Sequence, residues 1–292
     1  MKFLIIIPTH NEEDYIFYCL ESLRKQIFKN FKVVVVNDGS SDQTPKIIQK
    51  FVEGDDRFST LNLEKSGHEP GSKVVNAFNK GLKTQNIDDF DVICKYDADI
   101  IFPENYLQKL YEVYLTQPKT GVVSGLVKIK KSVLDFGQAF DFRDEKHQWQ
   151  FENISSTNHV RGPIKSYRKQ CFKDINGLRP TLGWDNIDVM LAKMHGWEVI
   201  TIKNIWVKHL RPTAYKYKKQ KAEKLGEYFY NIGLNLPLAV VSSAKSSFKN
   251  KSISEFFTTI RAFLKQKQKR QLSQEEIKFI RKLRWNEMGK KK

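Results

Sequence analysis

The sequence predicts an α/β protein: a single Rossmann-like domain with a mostly parallel central sheet, followed by a basic helical C-terminal extension. Three observations predict it. Short apolar runs alternate with segments of helical period through the first 127 residues. Polar clusters stand at the ends of three of those runs. The positive charge gathers after residue 210, where 21 Lys and Arg face 6 Asp and Glu.

Each element follows from its pattern. KFLIIIP is a continuous apolar run closed by Pro8, as in a strand buried on both faces. Ile16, Leu20 and Leu23 then recur at helical spacing. FKVVVVND (31–38) is a second buried strand, and SSDQTPKIIQKFV reads as a helix with Pro in its first turn. RFSTLNL (57–63) is a short strand and GSKVVNAFNKGLK (71–83) a helix. DVICKYD (91–97) is a strand, PENYLQKLYEVYL (103–115) a helix and TGVVSGLV (120–127) a strand. Such alternation gives a parallel sheet wrapped by helices through right-handed crossovers. The stretch 128–210 is less regular, with a helix at 186–195 and the strand WEVITIKN. After Pro212 come basic helices, among them FFTTIRAFLKQKQKRQ and EEIKFIRKLRW. The expected organisation is a catalytic domain over 1–212 and a basic helical region over 213–292.

Composition narrows the class. The chain has 292 residues with 40% hydrophobic and 12% aromatic content, enough for a packed core. Three widely spaced cysteines form neither a metal-ligand spacing nor a disulfide framework, which points to a reducing compartment. The first apolar run is too short for a membrane span and lacks a cleavage site. The expectation is a cytoplasmic protein, either soluble or peripheral at the inner face of the cytoplasmic membrane. The net charge of +17 belongs almost wholly to the tail, because the first 210 residues hold 29 basic and 27 acidic residues. A basic tail seeks an anionic surface.

In parallel sheets ligands bind beyond the carboxyl ends of the strands. Pro8–Glu12, Asn37–Ser41 and Asp97–Asp99 fall at those ends. Asp97-Ala98-Asp99 offers two carboxylates two residues apart, which on a strand share a face. Hard oxygen donors at such a rim suit Mg²⁺ or Mn²⁺ with phosphate completing the shell. An isolated Asp-x-Asp is more often a solvated loop; its place beside two other polar strand ends reverses that. Asp38 can accept a base N–H while Gly39 allows a tight turn; equally, Asp38 or Ser41 can cap the next helix. Pro8, Thr9, Asn11 and Glu12 can line a nucleoside pocket, or Asn11 or Thr9 can cap.

The set PTHNE, VVVVNDGSSDQT and YDAD, in this order, resembles glycosyltransferase family 2, whose members have the GT-A fold. The resemblance implies transfer of a sugar from a nucleotide-diphospho-sugar to an acceptor hydroxyl, with inversion and a divalent metal. It implies that Thr9 and Asp38 hold base and ribose, with Glu12 nearby, and that Lys73 approaches the nucleotide. It sets Asp97 at the ribose or a metal water and Asp99 on the metal, with His209 as a further ligand. A lone His is otherwise usually structural. In GWDNID (183–188), Trp184 stands where the family usually has Glu. Asp185 is then the catalytic base, with Asp188 as the alternative; by spacing alone Asp185 would cap the helix. His159 and Arg161 fall near the donor or acceptor in related enzymes, and Arg161 can pair with a phosphate.

A uridine donor is favoured, with a glycan or lipid-linked glycan acceptor in envelope or surface polysaccharide synthesis. Phe256, Phe257, Ile260, Phe263 and Leu264 form a stripe that can lie on an anionic membrane surface, or equally pack the helix on the catalytic domain with its basic side in solvent. Two other classes compete. A metal-dependent nucleotidyltransferase would usually carry a Gly-rich phosphate loop, and PTHNEE is not one. A basic nucleic-acid-binding protein would leave the strand-end acids idle, so no nucleic-acid partner is expected.

Overall fold

The computed structural model describes residues 1–64, 71–130, 149–152, 160–211 and 221–289. The expected domain boundary at 212/213 and His159 lie outside the described residues. Within them the chain runs β1 (Phe3–Thr9), α1 (Ile16–Arg24), β2 (Phe31–Asp38), α2 (Thr44–Gly54), β3 (Phe58–Leu63) and α3 (Ser72–Leu82). It continues with β4 (Val92–Tyr96), β5 (Ile100–Ile101), α4 (Tyr106–Thr116), β6 (Thr120–Lys130), β7 (Trp149–Phe151) and β8 (Ile164–Arg168). Then follow α5 (Lys169–Asp174), α6 (Trp184–Met194), β9 (Glu198–His209), α7 (Lys221–Asn231), α8 (Leu236–Asn250), α9 (Ile253–Lys265) and α10 (Gln274–Gly289).

The strands form one sheet in the order β3-β2-β1-β4-β8-β6-β9-β5, with β7 added on β6. β3, β2, β1 and β4 are mutually parallel. β8 runs antiparallel between β4 and β6, which restores β6, and with it β9, to the direction of the first four. The sheet is therefore mostly parallel, as expected, with β5, β7 and β8 reversed. β8 carries IKSYR, which reads as polar, yet its first four residues are buried. Sequence hydropathy misses it because its Lys165 is neutralised inside the protein.

Alternation along the strands sorts the core into two layers. Phe3, Ile5 and Ile7 pack with α1 and α4 on one face, alongside Val33, Val35, Cys94 and Tyr96. Leu4, Ile6, Val34, Val36 and Ile93 pack on the other face with α3, α5 and α6. That second layer continues without a break into the C-terminal helices through Phe229, Leu238, Phe263, Ile277 and Ile280. The helices after residue 220 thus share a core with the sheet. Of the apolar stripe expected on α9, Phe263 turns inward, while Phe257 and Leu264 stay exposed.

Candidate active site

β1 lies between β2 and β4, with Thr9 level with Asn37 and Ile6 level with Lys95. The three strand ends therefore share one edge. Asp38 and Asp97 stand on either side of β1, about 10 Å apart by strand spacing. Two loops are laced together there. His10 Nδ1 lies 2.7 Å from the Asp38 carbonyl oxygen. Asn11 Oδ1 accepts from the Ser41 amide at 2.9 Å, and the Asn11 amide donates to Ser40 Oγ at 3.0 Å. Asn11 does this with φ 52°, in the left-handed region that Asn tolerates. The Glu12 amide donates to Thr44 Oγ1 at 2.8 Å, and Thr9 Oγ1 donates to the Ile7 carbonyl at 3.1 Å.

None of these side chains caps a helix in the expected way. α1 has Tyr15 and α2 has Gln43 at the capping position, neither with a side-chain capping bond. Asp42, rather than Asp38 or Ser41, accepts the Thr44 amide at 3.0 Å. Asp38 is buried beside the loop after Pro8 and pairs with Lys73 Nζ at 3.3 Å. Lys73 is placed by the start of α3. There Gly71 has φ +77°, and a Cβ on it would sit 2.7 Å from Leu182 Cα. The N-terminus of α3 is thus fitted against the segment that leads into α6.

The acids at 97 and 99 differ from the strand-based expectation. β4 ends at Tyr96, so Asp97 to Asp99 form a turn rather than a pleated strand, and the rule that alternate residues share a face does not reach them. Asp97 is part-exposed and pairs with Lys95. Asp99 is buried and meets His209 Nε2 at 3.5 Å and Arg211 Nε at 3.1 Å. The pairing of β5 with β9 puts Ile100 level with His209, which brings that histidine to Asp99. The expected trio of Asp97, Asp99 and His209 is therefore not assembled as one ligand set. Among the described residues no group of three His, Cys, Asp or Glu side chains is arranged to hold a metal. Asp99 and His209 come together; Asp97 belongs to a second pair.

Arg211 ties this pair to the loop after β1. Its guanidinium reaches Glu12 Oε1 at 2.5 Å as well as Asp99. Burial works against ionisation of Asp99, but the charge and hydrogen bond of His209, with Arg211, outweigh it and hold the carboxyl at about 2. Burial likewise disfavours charged His209, and Asp99 outweighs it, so the imidazole rises above its usual value. For Glu12 burial wins against Arg211 and pushes the carboxyl up to about 7. Asp99 Oδ1 and Glu12 Oε2 are buried without a hydrogen-bond partner among the described residues.

The two candidates for the base are separated clearly. α6 is capped by Gly183 in the left-handed region (φ 94°), so Asp185 lies in the first turn and makes no capping bond. Its Oδ2 faces Gly162, where an added Cβ would lie 3.3 Å away. The next residue, Pro163, accepts the Asp97 amide at 2.9 Å through its carbonyl, which sets Asp185 beside the same edge. Asp188 is buried, accepts from Lys165 Nζ at 2.6 Å and is also held by the Tyr167 hydroxyl. It neutralises a buried lysine and presents no carboxylate to the edge. That pairing sets Asp188 apart from Asp185, whose carboxylate is the one beside the strand edge. Trp184 packs next to both cations, with Lys95 Nζ 5.0 Å and Lys165 Nζ 5.4 Å from its ring centroid. Arg161, which the sequence allowed as a phosphate partner, is buried against Glu152 in a two-bond pair of 2.7 and 3.0 Å.

Sequence reasoning passed over Arg211, Lys95 and Lys165. Lys95 carried a signal of proximity alone, as a lysine two residues before Asp97 at the end of a buried strand. Arg211, two residues past His209, carried a weaker one.

The model described as glycosyl transferase family 2 matches residues 4–175, which include β1 to β4 and their polar ends. The chain belongs to that family. Among curated relatives, the poly-beta-1,6-N-acetyl-D-glucosamine synthase of Staphylococcus aureus (strain MSSA476) is 28% identical over 139 residues, 47% of this chain and 32% of that protein. The matched segments span between 10% and 58% of the length of the curated relatives. Two solved structures share the fold. The mannosyltransferase PcManGT of Pyrobaculum calidifontis, in complex with GDP-Man and Mn²⁺, superposes with a TM-score of 0.60 at 18% identity, covering 89% of this chain and 73% of that one. S. aureus TarS 1–349, in complex with UDP-GlcNAc, gives 0.55 at 21% identity, covering 90% and 73%. The fold of this family 2 chain is thus the GT-A fold.

Proposed function

We propose that this chain transfers a sugar, with inversion, from a nucleotide-diphospho-sugar to an acceptor hydroxyl in envelope or surface polysaccharide synthesis. The observation that carries the reading is the shared edge. Asp38 with Lys73 on one side of β1 and Asp99 with His209 and Arg211 on the other bracket the strand ends, and Asp185 stands beside them. Thr9, Glu12, Asp38 and Lys73 are assigned to the nucleoside and its phosphates, and Asp97 to the ribose. A uridine donor is favoured, in keeping with the UDP-GlcNAc complex of a protein with the same fold.

The donor set fits a divalent cation. Asp99 carries an unpartnered buried oxygen beside His209, and Mg²⁺ or Mn²⁺ takes few protein oxygens and completes its shell with water and phosphate. Asp99 and His209 would hold the metal, which when bound neutralises charge on the departing diphosphate. Arg211 adds positive charge at the same place. Asp185 takes the proton from the acceptor hydroxyl. The acceptor oxygen forms its bond to the anomeric carbon as the bond to the diphosphate oxygen breaks, and the nucleoside diphosphate leaves. One displacement inverts the configuration and requires no nucleophile from the protein. An acceptor anchored at the inner face of the cytoplasmic membrane fits the basic C-terminal helices.

The test is release of nucleoside diphosphate from UDP- and GDP-sugars with Mn²⁺ or Mg²⁺, alongside thermal shifts with UDP and GDP. A metal-dependent shift with one of them is expected, since ligand at a hundred times Kd stabilises by about 2.7 kcal/mol. Asp99→Asn is expected to lose both the metal dependence and the activity. Absence of any shift with either nucleotide, with metal present, overturns the reading.

A further inference from the structure

The C-terminal helices carry a surface that takes no part in the sugar-transfer step itself. On α8, Ser242, Ser243 and Ser247 face inward, and the hydroxyls of Ser242 and Ser243 are buried without a partner among the described residues. The same helix turns Leu236, Val241 and Phe248 to solvent, with Phe248 89% exposed. It is anchored by Leu238 and Ala239, so this orientation is set by packing and not by fraying. The chain reverses at Lys251, in the left-handed region at φ 52°, and Ser252 caps α9. Ile253, Phe257 and Leu264 then stand out at 78%, 65% and 61% exposure. With Ile260 they recur at the three-and-four spacing of a single helix face. Phe257, Ile260 and Leu264 line one open apolar depression together with Arg261 and Lys265.

Ile253, Phe257 and Leu264, exposed this far along one helix face, mark an interaction site. Their surroundings say what kind. Residues 236–269 hold seven Lys and Arg and one acid, Glu255. All seven basic side chains are exposed. The Glu255 carboxylate accepts from Asn250 Nδ2 at 2.8 Å. A second copy would bring the same positive charge against itself, which an isologous contact must oppose. Nucleic acid would satisfy the cations and leave Ile253, Val241 and Leu264 in water. An anionic bilayer satisfies both halves, phosphates for the cations and the acyl boundary for the apolar tip. No helix among the described residues is long and apolar enough to cross a membrane, so the contact is one that lies on the surface.

We propose that the α8–α9 hairpin is a membrane-docking element. Phe248, Ile253, Phe257 and Leu264 seat in the headgroup region of an anionic leaflet, and Lys249, Lys251, Arg261 and Lys265 meet lipid phosphates. The docking is independent of sugar transfer, because it uses no residue of the strand edge.

The experiment is co-sedimentation of the full chain, without donor or metal, with vesicles of phosphatidylcholine alone and of phosphatidylcholine mixed with phosphatidylglycerol. Binding to the mixed vesicles is expected to be about tenfold tighter or more, as a few lysines near such a surface produce. Two variants separate the parts. Phe248→Ser with Ile253→Ser and Phe257→Ser removes exposed side chains only, so an unchanged unfolding temperature is expected together with loss of vesicle binding. Lys249→Glu with Lys251→Glu is expected to abolish the preference for anionic lipid. The proposal is overturned if both vesicle types bring down equal amounts of protein. It is also overturned if the triple variant binds as well as the parent, which leaves charge adsorption alone. A parent that forms dimers lost in the triple variant, without binding vesicles, assigns the face to a second copy and overturns it too. None of these results bears on nucleotide binding at the strand edge, which the thermal shifts report separately.

Discussion

Two aspartates three residues apart on α6 have opposite surroundings, and that contrast sets their chemistry. Asp185 sits in the first turn, where the helix dipole favours a negative charge, and spends no hydrogen bond on capping. Asp185→Asn is expected to fold normally, to keep nucleotide binding and to lower kcat by roughly 10²- to 10⁴-fold, the usual worth of a positioned base. Steady-state kinetics with thermal shifts check this; a variant with unchanged kcat removes Asp185 from the base role. Asp188 is buried against Lys165 and Tyr167. Removing one partner of a buried pair leaves an uncompensated charge, at a cost of about 3–5 kcal/mol. Asp188→Asn is therefore expected to lower denaturant stability by that amount. A variant that is fully stable yet inactive would return the base assignment to Asp188.

Elements bring these residues together by close backbone approaches. Gly183 holds the left-handed turn before α6, and a Cβ there would meet Tyr228 Cδ2 at 2.6 Å. That contact locks the start of α6 onto α7, and with it the direction of Asp185. Gly183→Ala adds both a strained φ and a clash, for an expected loss of about 1–3 kcal/mol. Displacement of Asp185 should lower kcat as well, while the thermal shift with nucleotide persists, because Asp38 and Lys73 lie on other elements. β5 is only two residues long, yet its pairing with β9 is what sets His209 beside Asp99.

Across the whole molecule, the C-terminal helices complete the core. Leu238 and Ile280 are fully buried in the same cluster as Leu4 and Ile6 of β1. A chain cut at residue 212 would expose that layer. It is expected to aggregate or to lose its cooperative thermal transition, measured by calorimetry and light scattering. A soluble, cooperatively folding fragment would show instead that the catalytic domain stands alone over 1–212. The charge asymmetry has its counterpart in space: the basic helices bury one apolar face in the layer that contains α6 and leave another exposed beside their lysines.

The sequence alone determined the elements whose hydrophobic period is local: β1 to β4, the helices between them, and the polar clusters at their ends. Those clusters also carried the resemblance to family 2, because the loops that touch a nucleotide sit next to the strands that present them. Only the tertiary structure decided which carboxylates pair with which cations. Arg211 lies far along the chain from Glu12 and Asp99, and Lys165 reads as a surface residue until Asp188 is brought against it. It also decided that α8 turns serines inward and Phe248 outward. Charge pairing and facing depend on neighbours distant in the chain, and no local period encodes them.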